Sequence, residues 1–162
     1  MRIGVVGDTH NQMTNVDRIV TVFQEARVER VIHTGDITQP NVLERLARLN
    51  VPLLGVFGNN DQHERERLAT QASVLGMDLA DPPRTIEWAG RRILVVHDPE
   101  EAPSELPEDL DLVLHGHTHR HRHEYQGATL IFNPGECAGF MPGHNAVGLI
   151  DLTTLGAERL RF

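Results

Sequence analysis

The sequence contains no lysine; all 15 of its basic side chains are arginine. That excludes a Schiff-base lysine and the lysine-bearing phosphate loop G-x-x-x-x-G-K-[ST]. Serine occurs only at Ser73 and Ser104, and neither stands in a G-x-S-x-G nucleophile turn. The lone cysteine, Cys137, rules out a disulfide framework, fits a reducing compartment and cannot by itself build a thiolate zinc site. Only 7 residues are aromatic against 41 Val, Ile and Leu, so the core is expected to be aliphatic. No apolar run approaches the ~18 residues of a membrane span, and Met1–Gly7 reads as a strand rather than a signal peptide. A cytoplasmic protein without a membrane partner is the expectation. The formal charge of −8 and the scarcity of aromatics also argue against a long nucleic-acid partner, which calls for a basic groove and stacking platforms.

What the chain has in excess is oxygen and nitrogen donors, with 23 acidic residues and 10 histidines in 162 positions. That length suits a single domain over 1–162 with no cap domain. Short aliphatic runs alternate with amphipathic stretches, the pattern of an α/β protein. Ile3–Val6, Arg30–His33 and Val51–Phe57 read as strands. Between them Val16, Ile19, Val20 and Phe23 share one helical face, with Thr14 or Asn15 placed to cap it, and a second helix opens near Pro40. Asp61 is expected to cap a third helix carrying Leu68, Ala72 and Leu75. The second half reads as mostly antiparallel: a hairpin turning at Ala89-Gly90, a strand at Leu110–Leu114, a hairpin turning at Gly127, and closing strands at Ala146–Leu152 and Glu158–Phe162.

The chemistry-bearing residues follow the strands. Asp8-Thr9-His10, Thr34-Gly35-Asp36, Gly58-Asn59-Asn60-Asp61, His97-Asp98 and His115-Gly116-His117-Thr118-His119 each lie just past a strand's carboxyl end, where α/β sheets bind ligands. Each piece alone has an ordinary structural reading, as a turn, a helix cap or an interior imidazole. Five together at one sheet edge do not.

These motifs resemble the calcineurin-like metallophosphoesterase superfamily, in its small, cap-free, YfcE-like phosphodiesterase branch. The resemblance implies a four-layer α/β/β/α sandwich of two mixed sheets with outer helices, with the later hairpins in the second sheet. It also implies a pair of divalent metal ions, Mn²⁺ by family habit with Fe, Ni or Zn as alternatives. One ion would take Asp8, His10, Asp36 and His119, and the other Asp36, Asn59, His97 and His117. A carboxylate such as Asp36 can bridge two cations, and an extended Gly116–His119 would turn both imidazoles to one side. The activity implied is hydrolysis of a small phosphate ester by a metal-bridging hydroxide.

Some positions depart from the family pattern. Asn60 stands where many relatives have a leaving-group histidine; it is assigned to substrate binding, and esters with acidic leaving groups are expected to react best. Asp98 replaces a frequent Gly and is expected to hold His97 or lie in the loop. Glu136 replaces a frequent Ser. His33 and His115 read as interior imidazoles, Arg120–His123 as a solvated edge and Cys137 as a small buried hydrophobe. The alternative function is a catalytically weak metal-binding or protein-interaction scaffold of the same fold, as in a retromer subunit. Relatives often form dimers or tetramers, so a homo-oligomer is compatible with the sequence.

Overall fold

The computed structural model describes all 162 residues. Parallel strands β1 (Arg2–Val6), β2 (Arg30–His33), β3 (Leu53–Val56) and β4 (Asp78–Ala80) are linked by helices α1 (Met13–Glu25), α2 (Pro40–Leu46) and α3 (Arg65–Val74). A second sheet holds β5 (Arg84–Trp88), β6 (Arg91–Val95), β7 (Leu112–Leu114), β8 (Arg122–Gln126) and β9 (Thr129–Asn133) in the order β5-β6-β7-β9-β8. The closing strands β10 (Ala146–Asp151) and β11 (Gly156–Arg161) extend the first sheet beyond β1, giving the order β11-β10-β1-β2-β3-β4.

Side-chain alternation sorts the core into layers. Val6, Val31, Leu53, Val147 and Leu149 face the helices and meet Val16, Ile19, Val20 and Phe23 of α1, Val42, Leu43 and Leu46 of α2, and Leu68 and Ala72 of α3. Their neighbours Ile3, Val5, Ile32, Leu54, Val56 and Ile150 face Ile93, Val95, Leu112, Leu114, Leu130 and Phe132 of the second sheet. The outer face of that sheet, Leu94, Val113 and Ile131, is covered by Ala102, Leu106 and Leu110. The two mixed sheets and outer helices are as expected from the sequence. The fourth layer is thin, a single 3-10 turn at Pro99–Glu101 and the segment that follows it.

Other expectations need correction. The β10–β11 hairpin joins the first sheet, because Ile150 and Leu152 supply its missing apolar contacts beside Ile3. The antiparallel reading of the second half holds for the hairpins β5–β6, β8–β9 and β10–β11, but β6, β7 and β9 run parallel within the mixed second sheet. Strand β4 escaped the pattern because its residues are only half-buried or exposed. Neither Thr14 nor Asn15 caps α1, which begins at Met13 with no side-chain cap; the Asn15 amide instead donates to the Cys137 carbonyl at 2.7 Å. Asp61 lies within a 3-10 turn, Asn59–Glu64, ahead of α3.

Between the sheets Gly148 leaves room for Phe132, since a Cβ there would fall 2.4 Å from the ring. Gly148→Ala is therefore expected to cost about 1–3 kcal/mol by overpacking. A lowered urea midpoint at unchanged slope would show it, and an unaltered midpoint would contradict this sheet-to-sheet packing.

Candidate metal centre

The carboxyl ends of β1, β2, β3, β6 and β7 meet along one edge of the two sheets, and each is followed by a tight loop. The backbone bends sharply there. Asp8, His10, Asp36, His117 and His119 all have positive φ, between 42° and 63°. Left-handed backbone costs a non-glycine residue roughly 1–2 kcal/mol, and Asp, Asn and His tolerate it best. His117 and His119 are therefore not on an extended segment, as the sequence suggested. Left-handed twists and a Thr118 N–H bond to the Gly116 carbonyl at 2.7 Å turn their rings inward instead.

Donor atoms of Asp8, His10, Asp36 and His119 lie within 4.8 Å of one another. His10 Nε2 is 3.3 Å from Asp36 Oδ2, and His119 Nε2 is 3.5 Å from Asp8 Oδ1. The other Asp36 oxygen serves a second cluster, with His97 Nε2 3.5 Å from Oδ1. Asn59 Oδ1 lies 2.9 Å from His97 Nε2 and 3.0 Å from His117 Nδ1. All seven sequence-derived donors thus come together, and Asp36 stands between the two groups.

Partners on the far side of each ring decide which nitrogens carry a proton. His97 Nδ1 donates to the Thr34 carbonyl at 2.8 Å, which leaves Nε2 a lone pair. His119 Nδ1 donates to Glu136 Oε2 at 3.0 Å, with the same result. His117 Nε2 lies 3.5 Å from Asp98 Oδ2, while its Nδ1 faces Asn59 Oδ1 at 3.0 Å. Asp98 therefore serves His117 rather than His97; His97 and Asp98 both donate backbone N–H groups to Glu101. At His97 and His119 the result is lone pairs facing the lone pairs of Asn59, Asp36 and Asp8. Asp8 Oδ2 and His10 Nε2 are buried with no hydrogen-bond partner at all. Oxygen and imidazole donors without thiolate, left short of protons in this way, fit a pair of divalent cations.

Buried backbone contacts hold the loops in register. Asp61, fully buried, accepts N–H groups from Gly58 at 2.7 Å, Asp36 at 3.0 Å and Thr38 at 2.7 Å. It clamps the Asp36 loop rather than capping α3. Asp8 Oδ1 accepts the His117 N–H at 3.1 Å, joining the two sheets. Two glycines permit these approaches. A Cβ at Gly58 would fall 2.2 Å from Asp36 Oδ1, and one at Gly116 2.8 Å from Asp8 Oδ2. Asn60 donates its amide to Asp36 Oδ2 at 2.8 Å and its backbone N–H to Oδ1 at 2.9 Å.

Burial, and then the neighbouring Asp36 charge, push the Asp8 carboxyl up to about 8. Burial likewise lowers His10 and His115, and brings His33 down to about 3. His33 is interior as expected, its Nε2 3.3 Å from Thr9 Oγ1 and its Nδ1 accepting the Gly35 N–H. His115 and Cys137 are buried too, whereas His63 is exposed and Arg122 pairs with Glu124 on the solvated strand β8.

Beside the second cluster opens a cleft of about 360 Å³, walled by Phe57, Asn59, Gln62, Arg65, Asp81, Asp98, Glu101 and His117. Sequence reasoning noted Glu136 only as a departure and did not single out Phe140. Glu136 is fully buried, and Phe140 stacks on His119. Both contacts join residues far apart in the chain, and no local spacing signals them.

Residues 1–155 match the family model of the calcineurin-like phosphoesterase superfamily domain, and the chain belongs to that superfamily. The phosphodiesterase MJ0936 of Methanocaldococcus jannaschii is 28% identical over 154 residues, covering 93% of each chain. A solved structure described as a novel archaeal phosphodiesterase superposes with a TM-score of 0.87 at 26% identity over the full length of both chains. YfcE, a phosphoesterase from E. coli, shares the fold, with a TM-score of 0.73 at 20% identity over 99% of this chain and 98% of its own.

Two predictions follow from the buried carboxylates. Glu136→Gln, whose amide cannot accept from both His119 and Met141, is expected to weaken divalent-metal affinity about tenfold in a chelator-competition titration. Unchanged affinity would show that Glu136 does not orient His119. Asp8, raised from 3.8 unfolded to about 8 folded, contributes stability to the metal-free protein that is lost as pH rises through that range. In chelator, the melting temperature of Asp8→Asn relative to the unsubstituted chain is thus expected to climb between pH 5 and 9. A flat difference would contradict the burial of an ionisable Asp8.

Proposed function

We propose that this protein is a metal-dependent phosphodiesterase acting on a small phosphate ester. Asp8, His10, Asp36 and His119 would hold one divalent cation, and Asp36, Asn59, His97 and His117 the other, with Mn²⁺ the favoured metal. Bound there, the pair supplies Lewis acidity toward the phosphoryl oxygens and activates water at neutral pH. The observation that carries this reading is the convergence of proton-poor donors from both sheets on the two oxygens of Asp36, with Asp8 Oδ2 and His10 Nε2 left unpartnered. A fold serving only as a scaffold has no need to bury such atoms, since each unpaired polar group costs about 1–3 kcal/mol.

The chain's own residues then fix orientation. Thr34 and Glu136 lock the tautomers of His97 and His119, so that neither ring rotates when the phosphate arrives. One N–H of the Asn60 amide is engaged by Asp36, and the second is available to donate to a phosphoryl oxygen. An amide cannot protonate a departing alcohol, so the leaving group must carry its own charge. Charge in the cleft favours a diester. Asp81, Asp98 and Glu101 stand against the single cation Arg65, which is itself paired with Asp81. A dianionic monoester meets more repulsion there than a monoanionic diester.

Chelation is expected to abolish hydrolysis of bis(p-nitrophenyl) phosphate and added Mn²⁺ to restore it, with p-nitrophenyl phosphate turned over at least tenfold more slowly. Alkyl leaving groups are expected to react more slowly still. Activity that survives complete metal removal would overturn the proposal. Stoichiometric metal binding without turnover of any ester would favour the scaffold alternative.

A further inference from the structure

Four large hydrophobic side chains are exposed, and two of them, Phe140 and Met141, are consecutive and border the metal-facing histidines. The Phe140 ring lies 5.3 Å from that of His119 and nearly parallel to it, at 12°; it also contacts His10 at 5.4 Å. Its other face is open, and the residue is 64% exposed. The loop does not present this ring by accident of flexibility. Glu136 Oε1 accepts the Met141 N–H at 2.8 Å, Asn145 Oδ1 accepts the Gly139 N–H at 3.1 Å, and the Met141 carbonyl accepts the His144 N–H. The buried carboxylate that holds His119 therefore also seats Phe140 against it.

A ring needed only to pack the two imidazoles has no reason to leave one face in water. Size narrows the occupant. Phe140 and Met141 offer on the order of 100–200 Å² of apolar surface, the scale of one aromatic side chain, whereas a stable interface between two copies needs about 800 Å² from each. Charge narrows it again, because the cleft beyond His117 carries Arg65, Asp81, Asp98 and Glu101 beside Phe57. An ester held between the two metal-facing clusters thus meets a flat, uncharged ring on the His10–His119 side and a charge-bearing wall on the other.

We propose that Phe140 is the binding face for a planar aromatic substituent of the substrate, a nucleobase or an aryl ring stacked on its open side. The assignment rests on the phosphodiesterase reading and adds the substrate class to it. Stacking of this kind is worth enough to change selectivity about fivefold.

The test compares kcat/KM of the Mn²⁺-loaded protein on three p-nitrophenyl diesters whose second substituent is thymidine, phenyl or methyl. The ring-bearing esters are expected to be preferred over the methyl ester, and F140A is expected to lower that preference about fivefold. F140Y, which keeps a flat ring, is expected to retain it. Loss confined to the thymidine ester assigns a nucleobase, and equal loss for both rings assigns any aryl group. A preference unchanged in F140A, or kept in full by F140L, overturns the proposal. So does a dimer in sedimentation velocity that F140A dissociates while leaving the preference intact. Should no diester be hydrolysed, the phosphodiesterase reading fails separately, and saturation-transfer NMR with thymidine 5′-monophosphate still decides. Base-proton transfer lost in F140A supports the stacking face, and its absence in the unsubstituted protein overturns it.

Discussion

The structure is organised around a shortage of protons. Four carboxylates, those of Asp8, Asp36, Asp61 and Glu136, are buried at the edge where two sheets meet. Burying an ionised group is costly unless it is paired or hydrogen-bonded. Asp61 meets that demand with three backbone N–H groups, and Glu136 with His119 and the Met141 N–H. Asp36 accepts the Asn60 backbone and amide N–H groups and Asp8 Oδ1 the His117 N–H, but both carboxylates also face His97 and His119 nitrogens whose protons point to Thr34 and Glu136. Such an arrangement fits divalent cations. Burial, and then the charge of Asp36, push the Asp8 carboxyl upward in the protein alone.

Holding these atoms together requires backbone that other residues would resist. Five of the seven donors sit at positive φ, in loops too short to wander. The sheets supply the opposing rigidity, through an interface of buried apolar side chains beneath the loops. Bonds between loops complete the frame: Thr34 to His97 and Asp8 to His117 link one sheet to the other, and Asp61 ties the third loop to the second. Strain localised in this way is a common mark of sites whose geometry matters more than local stability.

Much of this was readable in the sequence, for a definite reason. Strand ends and the residues just beyond them are local features, so the five donor motifs and the aliphatic runs that deliver them needed no knowledge of packing. Interior histidines 33 and 115 were readable for the same reason. Features set by distant partners were not. The side on which the β10–β11 hairpin docks depends on Ile150 and Leu152 finding Ile3. Asn15 looked like a helix cap because its real acceptor, the carbonyl of Cys137, is 122 positions away. Asp98 sits next to His97 in the chain yet faces His117 in space. The inward turn of His117 and His119 comes from left-handed backbone, which no alternation pattern encodes.

The central claim is that Asp36 stands between two cations. Crystals soaked in Mn²⁺ and measured at a wavelength where manganese scatters anomalously test it directly. The account predicts two anomalous peaks per chain, ~3.5–4 Å apart, one among Asp8, His10 and His119 and the other among Asn59, His97 and His117. A map without peaks at Asp36, or with manganese bound only elsewhere on the surface, would contradict it.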